Sequence, residues 1–255
     1  MRTELLAAEW IKLRSVRSTH LSMVAAAVLV LTVACSVADA TAAGWPTMTV
    51  RDRAAFDPVS APLFGAIFAQ LVVGVLGVLT VSAEYTTGLI RTTFATTPQR
   101  LQVLTAKVVV AAGLALVSGV VILGASFLLS QGIMAGRGGV SLTDPGVVRA
   151  LAYAVLYIVI VTVLGTALAA ILRATAGAIA VLFTLVFLVP QALDRLPDGP
   201  RHELMRYGLQ RAAAGAVSIR PQVDTFSPTV SILVCAAYAA VALGIAFVLV
   251  GRRDV

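Results

Sequence analysis

Apolar residues run along this chain in six long blocks, at about 20–42, 62–83, 105–131, 149–172, 174–193 and 228–250, with shorter polar stretches between them. A helix crosses a hydrocarbon core about 30 Å thick with about 20 mostly apolar residues, so each block is long enough to span. The boundaries carry their own chemistry. Ser60-Ala-Pro62, Thr97-Pro98, Asp144-Pro145 and Ser227-Pro228 each place a capping side chain at or near a proline. Proline loses no hydrogen bond in the first helical turn, so these pairs mark the starts of spans 2, 3, 4 and 6. A basic segment precedes the first block, as in a signal peptide. The apolar run is too long for one, and no persuasive A-x-A cleavage site leads into a soluble domain. The expected fold is an all-α integral membrane protein, a single six-span domain over residues 1–255.

Composition agrees with the pattern. Hydrophobic residues make up 59% of the chain and charged residues only 12%, about half the charged share of a soluble domain. The net charge is +7, which could suggest nucleic acid. No Lys/Arg block with interleaved aromatics lies outside the spans, so no nucleic-acid partner is expected. The basic residues are read instead as flanks of membrane spans. Lys12, Arg14 and Arg17 crowd the front of the first span, against Arg51 and Arg53 behind it. Basic residues favour the cytoplasmic side, so both termini are expected there, in a multi-pass protein of the cell membrane. The loops at about 43–61, 132–148 and 194–227 then face outward. Cys35 and Cys235 both fall inside apolar blocks and form no disulfide framework or metal pair.

The span interiors carry little chemistry. Gln70, Thr80, Ser118, Thr162, Thr166 and Thr184 are their polar residues, expected to hydrogen-bond between helices. Asp39 lies near the outer end of the first span, within reach of water. Secondary carriers and proton pumps place charges in mid-membrane, and none is found here. His20 and His202 belong to no H-E-x-x-H pair, and neither a G-x-S-x-G elbow nor a phosphate-binding G-x-x-x-x-G-K-[ST] loop occurs. No enzyme activity, bound metal or cofactor is expected in this chain. Within 194–227, "RHELMRYGLQRAAAGAV" reads as an amphipathic helix with a solvated charged face. Gly74, Gly77, Gly165 and Ala169 are small residues one turn apart, which let helix backbones approach closely in a tight bundle or a dimer.

The one substantial loop on the inner side, 84–104, joins spans 2 and 3. Residues 87–95, "TGLIRTTFA", can form about two helical turns with Leu89, Ile90 and Phe94 on one side. Glu84 is expected just before this turn, where a carboxylate favours a helix N-terminus. Thr97-Pro98 would stop it, and Arg100 and Lys107 would hold the next span at the headgroups. "EYTTGLIRTTFATTPQRLQVLTAK", residues 84–107, resembles the first cytoplasmic loop of type-2 ABC exporter permeases. That family's pattern is an acid, an aromatic, a glycine, a small-x-Pro-x-Arg and a lysine opening the next span. Glu84, Tyr85, Gly88, Arg91, Pro98, Arg100 and Lys107 fill those places, while Leu89 departs from the threonine often found after the glycine. The segment "LLAAEWIKLRSVRST" is similar to the family's amphipathic connecting helix, with Leu6, Trp10 and Leu13 on one face and basic residues beside them.

The resemblance implies a permease subunit with no ATPase domain of its own. It implies a second permease subunit, identical or homologous, and a pair of cytoplasmic ABC ATPase subunits that hold the ATP and Mg. The loop between spans 2 and 3 would carry a short coupling helix that docks in a groove of the ATPase, with Glu84, Gly88, Arg91, Phe94, Pro98 and Arg100 as the contact set. Residues 1–19 would form an interfacial helix held on membrane lipid by Trp10, Lys12, Arg14 and Arg17. The uncharged spans suit an amphipathic or hydrophobic cargo moved outward. The alternative is a non-transporting membrane anchor or accessory subunit for a cytoplasmic partner.

Overall fold

In the computed structural model, which describes residues 3–90, 99–195, 197–220, 222 and 225–252, every regular element is helical. An N-terminal helix α1 (Thr3–Ser15) precedes α2 (Arg17–Gly44), the first of six helices long and apolar enough to cross a membrane. The short α3 (Val50–Ala55) and α4 (Ser60–Phe64) lead into α5 (Ala66–Thr87), and α4 and α5 together make the second span. The third and fourth spans are α6 (Arg100–Ile133) and α7 (Val147–Leu172). The fifth is built from α8 (Thr175–Phe183), a π-helical turn Thr184–Leu188 and α9 (Val189–Leu193). After α10 (Asp198–Tyr207) and α11 (Leu209–Val217), the sixth span is α12 (Pro228–Arg252).

The break in the fifth span has a local cause. Pro190 has no N–H and its ring crowds the preceding turn, so the α-helical ladder cannot pass through it unchanged. The chain widens by one residue ahead of the proline, and Val189 donates its N–H to the Thr184 carbonyl five residues back.

Helix α7 is the centre of the bundle. It packs against α5, α6, α8, α11 and α12, and apolar clusters form on two of its sides. One joins Ile158 and Ala154 to Val30, Val73, Leu123 and Phe127, and the other joins Val161 and Leu164 to Val78, Leu182, Ile232 and Cys235. The small residues of α5 face α7 within the chain. A Cβ at Gly77 would run into the backbone carbonyl of Thr162, and one at Gly165 would lie 2.5 Å from the carbonyl of Gly74. The two backbones therefore touch, which only glycine allows.

The polar residues of the spans behave differently from the expectation. Thr162, Thr166, Ser118 and Thr80 donate to Ile158 O, Thr162 O, Leu114 O and Gly77 O of their own helices, not to neighbouring ones. A short hydroxyl side chain reaches the carbonyl one turn back without needing a partner helix. Gln70 does reach another helix, α11, and Ser126 of α6 donates to the Pro62 carbonyl of α4 at 2.7 Å.

The two faces of the bundle are distinct. On one, α1 packs against α6, and Gly251 in the last turn of α12 lies close to Leu101, so α1 and the end of α12 share this side. On the opposite face Asp57 accepts hydrogen bonds from Ser218 Oγ at 2.7 Å, Ile219 N at 3.0 Å and Arg220 N at 3.4 Å. This ties the loop after the first span to the one before the sixth. The expected long amphipathic helix of that region is two helices. Gly208 adopts an extended conformation between them, and α11 turns inward with Leu209, Ala212, Ala213 and Ala216 buried. His202 and Glu203 stay exposed on α10.

Candidate coupling site

The last turn of α5 is the junction of the face that carries α1 and the end of α12. Glu84 lies inside α5, three residues before its end, and is 7% exposed. The expected position, ahead of a separate short helix, is therefore corrected. Near a helix C-terminus a carboxylate meets the unfavourable end of the dipole, so it needs cations close by. It has two. Glu84 Oε1 is 2.7 Å from Lys12 Nζ and 2.7 Å from Lys107 Nζ.

Both lysines also meet Glu9 of α1, at 2.8 Å from Lys12 and 2.7 Å from Lys107. Two carboxylates and two ammonium groups thus alternate in a closed ring across α1, α5 and α6. Lys107 is 3% exposed and directs its three N–H bonds at Glu9, Glu84 and the Thr80 carbonyl, 3.2 Å away. It does not hold α6 at the headgroups as expected, because its ammonium is spent inside the protein. Burial alone would lower the pKa of Lys12. Hydrogen bonds to Glu84 and Glu9 and their charges outweigh it and raise the pKa above the ordinary lysine value. A raised amine pKa means that the contribution of the Lys12 charge is fully present below pH 10.5 and is lost as pH rises through the raised value.

Other contacts converge on the same turn. Tyr85 lies under the guanidinium of Arg173, 5.4 Å from ring centre to Cζ. Arg173 forms the tight link between α7 and α8 and takes a left-handed φ of 55°. Gly88 then ends α5 with a φ of 73°, a conformation that disfavours any side chain even though the space beside it is open. Residues 89–90 are helical again. Ile90 is buried and Leu89 is 55% exposed, so the two do not share a face as expected. Successive helix positions are about 100° apart, which separates them. Arg91, Phe94 and Pro98 of the expected contact set lie outside the described residues. Arg100 opens α6, partly exposed.

Beside the ring is a cavity of about 460 Å³ with Leu13, Val16, Leu79 and Leu89 among its walls. Glu84 lines it too, and its Oε2 has no partner among the described residues. On α1, Leu6 and Leu13 are half-buried as the periodicity predicts, but Trp10 is 46% exposed and Glu9 takes the inward position. Arg14 and Arg17 are exposed. The residue that sequence reasoning missed is Glu9. Its only signal is its place one turn before Lys12 on the same helix.

A family model described as ABC-2 family transporter protein matches residues 5–191, from α1 through most of the fifth span. The chain belongs to the ABC-2 transporter family. No curated protein matches it. As an ABC-2 permease it is a membrane component of an ABC transporter, not itself catalytic, and family membership implies an ABC ATPase as partner. The matched stretch contains the whole ring of Glu9, Lys12, Glu84 and Lys107 and the segment 84–104.

Proposed function

We propose that this permease moves an amphipathic or hydrophobic cargo outward, driven by a separate pair of ABC ATPase subunits docked on the face that carries α1 and the end of α12. That face is cytoplasmic in this reading, the membrane is the plasma membrane, and a second permease copy or homologue completes the pathway. ATP and Mg reside in the ATPase. The observation that carries the reading is the ring of charges at the root of the segment 84–104. It binds α1, α5 and α6 into one body, so a push on that segment passes to two spans and to the interfacial helix together. Residues 87–98, with Gly88, Arg91, Phe94, Pro98 and then Arg100, are the proposed docking element. Glu84 acts from inside, by fixing where that element leaves α5. Trp10, Arg14 and Arg17, exposed on α1 and at the start of α2, are proposed to rest on lipid headgroups, while Lys12 divides its role between lipid and ring. ATP binding drives the change by favouring one of two permease states.

Two measurements test this. Cysteines placed at Thr47 and Glu203, both exposed, are expected to react with a membrane-impermeant maleimide on intact cells. A cysteine at Ala8 is expected to react only after permeabilisation. The reverse pattern overturns the orientation. In proteoliposomes holding permease and ATPase, ATP is expected to drive accumulation of cargo on the far-face side. A bound ATPase with no ATP-dependent movement across a cargo panel would favour the membrane-anchor alternative.

A further inference from the structure

Where α5, α7 and α11 meet, three polar side chains come together inside the bundle. Gln70 of α5 donates to Gln210 Oε1 of α11 at 3.5 Å, and Tyr157 of α7 donates its hydroxyl to the same oxygen at 3.5 Å. Tyr157 is ten residues, about 15 Å of helix rise, from the start of α7 at Val147. The meeting point is therefore deep in the apolar layer, reached by α11 because the chain turns inward at Gly208.

This cluster is under-satisfied. Both bonds stand at the outer limit of hydrogen-bond length, and Gln70, 1% exposed, leaves Oε1 with no partner among the described residues. Turning the amide over would bring two acceptor oxygens together and orphan the amide N–H₂ instead. A buried amide oxygen without a donor costs free energy, so its retention calls for an occupant.

The space for one is present. Gln70, Tyr157 and Gln210 line a cavity of about 170 Å³ whose other walls include Leu63, Phe64 and Ile67. Among the described residues, no charged one lines it. Gln210 and Ala214 also line a second cavity of about 210 Å³, which extends to Asp194 and Arg211 at the outer end of the fifth span. Gln210 thus stands between an inner and an outer cavity.

From this we infer that Gln70, Tyr157 and Gln210 form a binding site for an uncharged, hydrogen-bond-donating group, a hydroxyl or amide N–H, on an otherwise apolar molecule. The first cavity is smaller than a typical pocket for a whole drug-sized ligand, so it takes the polar group and leaves the apolar body among the spans. With no cation or anion in the wall, a carboxylate, phosphate or quaternary ammonium would enter without a counter-charge, at high cost. Gln210 then offers a second station on the outward side. The inference rests on the cargo reading above, and names its chemistry.

The test uses the full-length permease alone in nanodiscs, so it is independent of ATPase docking. Three photoactivatable alkyl probes share one chain and carry an alcohol, a carboxylate or a trimethylammonium head. The alcohol is expected to label peptides containing Gln70, Tyr157 or Gln210, and the charged probes are not. Gln70→Leu is expected to cut alcohol labelling about tenfold, the equivalent of about 1.4 kcal/mol. Tyr157→Phe, which keeps the ring and removes only the hydroxyl, is expected to weaken it by a smaller factor, and carries the test if Gln70→Leu does not fold. Equal labelling by all three heads, no labelling at these peptides, or full labelling of a folded Tyr157→Phe and Gln70→Leu would overturn the assignment. Each of those results leaves the ATPase-coupling reading standing. Conversely, loss of ATPase docking leaves this site untouched.

Discussion

Lys107→Met is expected to lower the stability of the permease by about 3–5 kcal/mol and to release α1 from the bundle. The side chain is 3% exposed, and its removal leaves Glu9 and Glu84, both nearly buried, sharing Lys12 alone. Breaking a buried ion pair on one side costs more than the pair contributes, because the abandoned carboxylate remains out of water. Thermal melting in nanodiscs reads the destabilisation, and faster proteolysis at residues 3–15 reads the release of α1. The double variant Glu9→Leu with Lys107→Met removes one acid and one base together and is expected to recover most of the loss. Glu84 then keeps Lys12 as its partner at 2.7 Å. Wild-type melting of Lys107→Met would show that the ring does not hold these helices. Failure of the double variant to recover would show that volume, not charge, is what Lys107 supplies.

Gly165→Ala is expected to be among the most damaging small substitutions in the spans. Its added methyl would lie 2.5 Å from the backbone carbonyl of Gly74, which has no soft side chain to give way. Helices α5 and α7 would have to separate, at a cost of about 1–3 kcal/mol typical of overpacked cores. Gly77→Ala meets the Thr162 carbonyl from the other side and should behave alike. Gly113→Ala, on α6, has open space around the new Cβ and is expected to be neutral or slightly stabilising. Melting temperatures of the three variants in one lipid decide this. A Gly165→Ala protein that melts with wild type would place the α5–α7 contact elsewhere.

What could be read from sequence follows the range of the interactions. The six spans were legible because apolar length is a property of each segment alone, whereas the spacing of Gly74, Gly77 and Gly165 pointed to close helix approach in a bundle or dimer and not to α5 and α7 as the pair. The π turn was not anticipated, although Pro190 is its visible cause. The ring of charges could not be read, since Glu9 and Lys107 are 98 residues apart in sequence and meet only through tertiary packing, not along one helix. Singly, each of the four residues reads as a solvated or headgroup charge. The inward turn of α11 was hidden for a related reason. Alanines and Gly215 in "LQRAAAGAV" look like an exposed helix until Ser231 and Thr225 are found against Gly215. Gln210, assigned by periodicity to an outer loop, is half-buried against Tyr157 and Gln70. Of the proposed docking element, Gly88 was readable because a helix that must stop abruptly calls for a residue tolerant of positive φ, and its φ is 73°. Hydrophobicity alone groups Leu89 with Ile90, while the turn of about 100° between successive helix positions separates them.

The central claim is that an ABC ATPase grips this permease through the segment between α5 and α6. Recovery of the partner ATPase on purified permease, at matched permease levels, tests it most directly. Phe94→Ala is expected to reduce recovery strongly, because buried aromatic anchors dominate interface energies. Arg91→Ala is expected to reduce it mildly, since an exposed ion pair contributes about 0–1 kcal/mol. Both variants should insert and melt as wild type does. Wild-type recovery of the ATPase by Phe94→Ala would contradict the account.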